Sequence, residues 1–546
     1  MEQLTININF KTTKIMKKIT TLFLCAILSA TAMMGQTVKV GRNAEGGSWN
    51  GPDGLYYATQ AVKTLQDDNS TEVWRDSIYI SGTLTRPGLF QFGTWGKTRK
   101  FILVGEGMEN TTIQAYTDAE LENYVADPDN NPLPAWKESG AQGLAFYIAP
   151  TSGDDINNNY NIEVEFHDLS IKNIWLPDQA NGRAAIQMSD NAIAEFHNVN
   201  ISNCKNSGAD GSVIMASHST SVVLDNCIIE NNEGRTGTSL FFYTTQASRN
   251  SSVTISNTVI RDNVSLGKGG GAVFWCPDAS SNMDIQINNS TFYNNSNVDG
   301  ASALEVNGAG VDIALYNTTI AYNKGGHTGF ACMESTPNKV TMINTLIYGS
   351  TGNLGEAVND FGISWIPDTT DPIFTPNPTN FTLFTSIIGN TDIDFTGLPT
   401  HATSYFNDWL NGWTMGLTDM ISDNNEVIPA AGSVAIDNGT PFPPYTDGFY
   451  GAKPDIGSYE NNPNLSSNSY SKNELAIALY PNPVQNTLNI GFKEELEWQI
   501  FSMIGKSILS GTGNHINVEA LQSGIYVIKM SEANATTYTS KKFVKQ

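Results

Sequence analysis

The chain has 546 residues, enough for two or three domains and a large buried core, with a net charge of −24 and only 15% charged side chains. The first 20 residues carry +3 and residues 473–546 are neutral, so about −27 falls on the middle of the chain. A surface of that sign repels nucleic acid and anionic membranes, and the abundance of Asn, Ser, Thr and Gly suits sheets and turns rather than long surface helices.

From Met16 the chain reads MKKITTLFLCAILSATAMMGQ: lysines, an apolar run from Leu22 to Leu28, then small residues around Ala30 and Ala32. This is the pattern of a secretory signal peptide over residues 1–35, with Met16 a candidate true start. The run is too short for a permanent membrane helix, and no other segment approaches that length. Cys25 lies inside the signal, which leaves Cys204, Cys227, Cys276 and Cys332. They form no paired CxxC motifs and fall in different repeat columns, so buried free thiols are expected, without zinc or disulfides.

Residues 55–66 (LYYATQAVKTLQ) predict a short amphipathic helix ahead of the strands SIYIS, FILVGEG and TTIQA. Such a helix would cover the first coil of a repeat, which is otherwise an open sheet edge.

The repeat follows. Eight segments align without gaps: VEFHDLSIKN, AEFHNVNISN, VVLDNCIIEN, VTISNTVIRD, IQINNSTFYN, IALYNTTIAY, VTMINTLIYG and FTLFTSIIGN. One column reads Asp168, Asn198, Asn226, Asn257, Asn289, Asn317, Asn344, Thr385, at spacings of 30, 28, 31, 32, 28, 27 and then 41 residues. The columns two residues before and three after are wholly apolar, from Phe166 and Ile171 to Leu383 and Ile388. A period near thirty, built of short alternating strands, fits one turn of a right-handed, three-sided parallel β-helix in which each coil adds about 4.8 Å. Asn198, Asn226, Asn257, Asn289, Asn317 and Asn344 would sit at a bend and bond amide to amide, as an asparagine ladder.

A third strand per coil follows a glycine turn. Alternation places Ile186, Phe241, Val273, Leu304 and Phe330 inside, together with Met188, Tyr243, Trp275, Val306 and Cys332. Gln187, Phe242, Phe274 and Glu305 would then face out, with the two phenylalanines stacked as a sugar-binding platform unless residues 116–160 or the insertion at 351–379 fold over them.

AIDNGT (435–440) and PDIGSYE (454–460) resemble the closing segment of the β-helix proteins grouped as choice-of-anchor Q, within the pectate-lyase-like fold; that resemblance fixes neither ligand nor reaction. A polar linker, residues 461–472, precedes a small β-sandwich over 473–546. There Pro481-Asn482-Pro483, Gly505-Lys506, Gly524-Ile525-Tyr526 and Lys542-Phe543-Val544 resemble the type A C-terminal sorting domain of the type IX secretion system of Bacteroidota. The resemblance implies passage through the outer membrane, interaction with that machinery, and a protein that is released or held at the cell surface.

No catalytic or metal site is legible. Lyase chemistry needs a base together with a cation on the uronate, but the cations of the repeat are scattered through turns. The motifs of the polygalacturonase type are not matched: Asn390-Thr391-Asp392 comes last, Asp154-Asp155 precedes the repeats, and the Gly-His-Gly and Arg-Ile-Lys motifs are missing. His167 and His197 read as stacked structural positions, and His218 and His327 as turn residues. Asp210, Asp278 and Asp299 read as solvated turn acids, since no motif supports calcium and no cofactor is evident. The expectation is an all-β, monomeric, exported β-helix over 36–460 that binds an extracellular polymer, a glycan by its aromatics, or serves adhesion. A polysaccharide lyase or glycoside hydrolase with its site in the long loops, and a purely structural surface protein, are the alternatives.

Overall fold

The computed structural model describes residues 37–460, apart from 42–43, 45, 68–75, 138–143, 176–183, 327, 334–338, 356–357, 363–379, 392–403, 409–426, 430–431, 444 and 447–448. It also describes 478–545, apart from 481–483, 492–495, 503–506, 523 and 533–538. The expected signal peptide and linker lie outside these residues, as does most of the 351–379 insertion. The chain divides into two compact units at Asn461/Asn462.

The first unit is a parallel β-solenoid of about nine turns. Each coil is bent by residues in the left-handed conformation, which asparagine tolerates better than other side chains. The aligned column from Asp168 to Thr385 has φ of 44° to 56° throughout. Five residues on, Asn173, Asn203, Asn231, Asp262, Asn294 and Tyr322 have φ of 49° to 58°. Between the bends run short strands in unbroken register, such as Phe166↔Phe196↔Leu224↔Ile255↔Ile287↔Leu315↔Met342↔Leu383. Those side chains are fully buried, and Phe166 stacks on Phe196 at 4.8 Å and 3°. The helix Gly54–Asp67 buries Leu55, Ala58 and Val62 over the first coils, where 55–66 was expected to cap.

The aligned asparagine column bonds only in part. Asn198 donates to Asp168 at 2.5 Å, Asn226 to Asn198 at 3.2 Å and Asn344 to Asn317 at 2.9 Å. Asn257 turns aside to Asp225 and Asn317 to the carbonyl of Tyr445. A continuous ladder lies six residues further on, inside the coil. Asn232, Asn263, Asn295 and Asn323 are at most 1% exposed, and each amide donates to the next side-chain oxygen at 2.9, 2.9 and 3.1 Å. The same oxygens accept the backbone N–H of the preceding member at 2.9 to 3.3 Å. These asparagines satisfy backbone groups that the bend would otherwise leave unpaired in the core. Cys204 occupies the same column one coil earlier, its N–H donating to Asn232 at 2.8 Å. Cys204, Cys227, Cys276 and Cys332 are free and buried, and burial pushes the Cys204 and Cys227 thiols up to about 12.

Toward the far end, Asp360 is 1% exposed and accepts the backbone N–H groups of Ser350 at 2.7 Å and Asn390 at 2.8 Å. Burial, working against those donors, pushes its carboxyl up to about 6. A raised folded-state value means that its contribution to stability is full below the unfolded value of about 3.9 and is lost as pH rises through about 6. Asp360→Asn removes this titration. Relative to wild type, the melting temperature of that variant should rise between pH 4.5 and pH 7.5; a difference independent of pH would contradict the assignment.

The closing segment runs back along the outside of the coils. Thr440 exchanges hydrogen bonds with Asn344, both at 2.8 Å, and the Tyr445 ring lies flat on Tyr316 at 4.6 Å and 4°. Ser458 meets Thr291 at 2.7 Å and Thr319 at 2.9 Å.

The second unit has two antiparallel sheets. One comprises Ala478–Tyr480, Thr487–Gly491 and His515–Asn517; the other is Ser507–Thr512, Leu496–Ser502, Gly524–Glu532 and Thr539–Lys545 in that order. Leu488, Ile490, Ile500, Ile528 and Phe543 share its core. Of the expected sorting residues, Tyr526 stacks on Phe543 at 5.7 Å, Gly524 pairs with Lys545, and Lys542 and Val544 pair with Val527 and Ile525. Pro481, Asn482, Pro483 and Gly505 lie outside the described residues.

Candidate functional site on the third sheet

The third strand of each coil runs from Phe146–Ile148 through Ile186–Ser189, Ile214–Ser217, Leu240–Tyr243 and Ala272–Trp275 to Ala301–Asn307. Its register is Ile186↔Ile214↔Leu240↔Ala272↔Leu304, which fixes the two faces. Leu240 and Phe242, Ala272 and Phe274 therefore point inward. Phe242 and Phe274 are fully buried, their rings 5.6 Å apart within the core. The platform expected at these two positions does not exist, because the alignment slipped by one residue in three coils, those of Ile214, Phe242 and Phe274, and a one-residue slip exchanges the faces of a strand. The runs LFFY and AVFW have no polar residue to mark the outer side, so alternation alone could not fix them.

The true outward columns are Gln187, Met215, Phe241, Val273, Glu305 and, two residues on, Ser189, Ser217, Tyr243, Trp275, Asn307. Phe241 and Tyr243 lie 5.5 Å apart on one strand, and Trp275, 38% exposed, is the register neighbour of Tyr243. Gln187 is half-buried, as expected of an outward position. Glu305 is outward by register yet only 2% exposed, tucked beneath the turn at Gly300, so it is not an open ligand contact. The turns preceding this sheet press on it. A Cβ on Gly237 (φ 55°) would lie 3.1 Å from Phe241 Cβ, and one on Gly269 (φ 62°) would lie 2.2 Å from Val273 Cγ2. Glycine is thus required by both conformation and close approach.

His218 closes the other edge of the patch. It has φ of 49°, donates its N–H to the Tyr243 carbonyl at 3.0 Å, and meets the Tyr243 ring edge-on at 5.4 Å. Its Nδ1 is buried with no hydrogen-bond partner. Burial, helped by the charge of Arg249 and opposed by Asp190, lowers its pKa and favours the neutral imidazole.

Among the described residues the long segment at 116–160 leaves Trp275 exposed and adds the strand Phe146–Ile148 to this sheet. Its described part packs at the start of the solenoid, where the Lys137 N–H meets the Pro87 carbonyl and its ammonium meets Asp53 at 2.6 Å. His167 and His197 stack at 4.9 Å and 16° on the first sheet, each bonded to the glutamate two residues before it, Glu165 at 2.8 Å and Glu195 at 3.1 Å. Asp155 is 5% exposed and accepts from Thr94 at 2.5 Å while Asp154 is exposed, so the pair is not a two-carboxylate site. Among the described residues no group of three or more His, Cys, Asp and Glu side chains could hold a metal ion.

The fold and this face define a parallel β-solenoid with an outward aromatic patch. Residues 478–546 match the family described as the secretion system C-terminal sorting domain, and they are the type IX sorting domain of this chain. That domain directs the protein to the cell surface or the extracellular space, and among the described residues no helix is long and apolar enough to cross a membrane. No curated protein matches the chain.

Proposed function

We infer that the exported solenoid binds an extracellular polymer, a glycan, along the outward face of its third sheet. The observation that carries this reading is the cluster Met215, Tyr243 and Trp275, held on parallel strands over the buried ring of Phe241 and flanked by Gln187 and His218. Aromatic faces stack on the C–H faces of sugar rings, and a patch of tyrosine and tryptophan with polar neighbours is the usual composition of a binding surface. Adhesion follows if the polymer belongs to another surface.

A second reading is a polysaccharide lyase, favoured by one observation: a neutral His218 with a free Nδ1 beside the Tyr243 ring and within electrostatic reach of Arg249. A base and a cation are what proton abstraction next to a uronate requires.

Affinity electrophoresis against plant, algal and host polysaccharides, with released reducing and unsaturated ends measured with and without calcium, separates the readings. Retention without product, weakened at least about ten-fold in Trp275→Ala and Tyr243→Ala, is the expected result. Product release that is lost in His218→Ala would establish the lyase instead. Neither retention nor product would leave a structural surface protein.

A further inference from the structure

The structure assigns a second ligand site, on a different face: we propose that the cleft between the outer asparagine column and the closing segment binds one ring of a neutral polyhydroxylated ligand, a hexose or N-acetylhexosamine unit. This inference does not depend on the third-sheet reading.

The cleft has a volume of about 350 Å³ and is lined by Asn257, Asn289 and Asn317 on the coil side and by Tyr445, Tyr459 and Glu460 on the closing side. That is the lower end of the range for small-molecule sites, about 300–1,000 Å³, and suits a single ring. A neighbouring, more apolar cleft of about 310 Å³ shares Val259, Thr291 and Tyr459 with it, which leaves room for a second ring or an acyl group.

The outer asparagine column supplies the first argument. Elsewhere its amides bond coil to coil, as Asn198 does to Asp168 and Asn344 to Asn317. At the cleft that chain stops: Asn257 is diverted to Asp225, and no side-chain hydrogen bond joins Asn289 to Asn257 or Asn317 among the described residues. The left-handed bend explains why asparagine stands at Asn289 (φ 47°), but not why its amide is left out of the ladder.

Glu460 supplies the second. One carboxyl oxygen accepts the Asp455 N–H at 3.1 Å, while Oε2 is buried with no hydrogen-bond partner. Burial, together with the nearby charges of Asp455 and Asp437 and against the backbone donors of Asp455 and Tyr450, pushes this carboxyl up to about 7, so that near neutrality much of it is protonated and can donate. An unpaired buried polar group costs about 1–3 kcal/mol, which a ligand hydroxyl would relieve.

The lining chooses the ligand class. It contains no Lys, Arg or His among the described residues, and Arg261 of the adjoining cleft is already paired with Glu230 at 2.7 Å, so an anionic sugar would meet a carboxyl with no unpaired compensating charge. An apolar ligand would strand the amides and Oε2. A neutral ring offers hydroxyls to Asn257, Asn289 and Glu460, and its C–H face to the tyrosines.

Saturation-transfer NMR on the full exported chain tests this, with glucose, galactose, mannose and N-acetylglucosamine as separate probes and glucuronate as the anionic control. At least one neutral sugar should receive saturation and glucuronate should not. Its affinity should fall at least about ten-fold in Asn289→Gly, which keeps the positive φ and removes the amide, and in Glu460→Ala. If Glu460→Ala fails to fold, Asn289→Gly alone decides. No transfer to any neutral sugar, transfer unchanged in both cleft variants, or equal binding of glucuronate would overturn the proposal. Loss in Trp275→Ala alone would also overturn it, by moving the sugar to the third sheet.

Discussion

Asn263→Ala should cost about 3–5 kcal/mol, far more than substitution of an exposed asparagine of the outer column such as Asn226, because it strips the middle of a fully buried ladder. The Asn263 oxygen accepts the backbone N–H and the amide of Asn232 at 3.1 and 2.9 Å, and its amide donates to the Ile229 carbonyl at 3.0 Å and to Asn295 at 2.9 Å. Alanine leaves all of these in a core that water does not reach. Because a solenoid is stabilised mainly between neighbouring coils, the loss should appear first as faster amide exchange in the coils around residues 229–264 and then as a lower melting temperature. Asn226→Ala, which removes one exposed 3.2 Å bond at a bend, should cost about 1 kcal/mol. Equal effects of the two substitutions would contradict the distinction between the inner and outer columns.

The second large effect separates the faces of the third sheet. Phe242→Ala opens a cavity beneath Phe274 and should cost about 3–5 kcal/mol, leaving retention on polysaccharide intact wherever the variant folds. Tyr243→Ala, one residue along and outward, should cost about 1 kcal/mol or less and lose retention. Denaturant unfolding and affinity electrophoresis on the two variants give the comparison. The reverse pattern, with Tyr243 carrying stability and Phe242 carrying binding, would restore the register expected from alternation.

The contrast shows what the sequence makes legible. The coil period, the apolar columns and the bends are written plainly, because a left-handed turn selects asparagine and the strands beside it alternate. The capping helix and the free thiols follow from the same pattern. The inner ladder was also present, as the second residue of Asn231-Asn232, Asp262-Asn263, Asn294-Asn295 and Tyr322-Asn323, but an asparagine next to a bend reads as part of the turn until its burial is known. The third-sheet register failed where all residues of a strand are apolar. A usable signal existed in the left-handed glycines: Gly211, Gly237 and Gly269 each stand three residues before Ile214, Leu240 and Ala272, and aligning on them gives the observed register. The cleft at Glu460 was not legible, since it brings Asn257 and Asn289 against residues about 170–200 positions later, a pairing no local pattern encodes.

The most direct test of a polymer-binding third sheet is hydroxyl-radical footprinting of the full chain with and without the polysaccharide that retains it best. Protection concentrated on Met215, Tyr243 and Trp275, with Tyr56, Tyr57 and Tyr450 unchanged, is the result this structure leads us to expect. Protection confined to those other tyrosines, with Trp275 as reactive in the complex as alone, would contradict it.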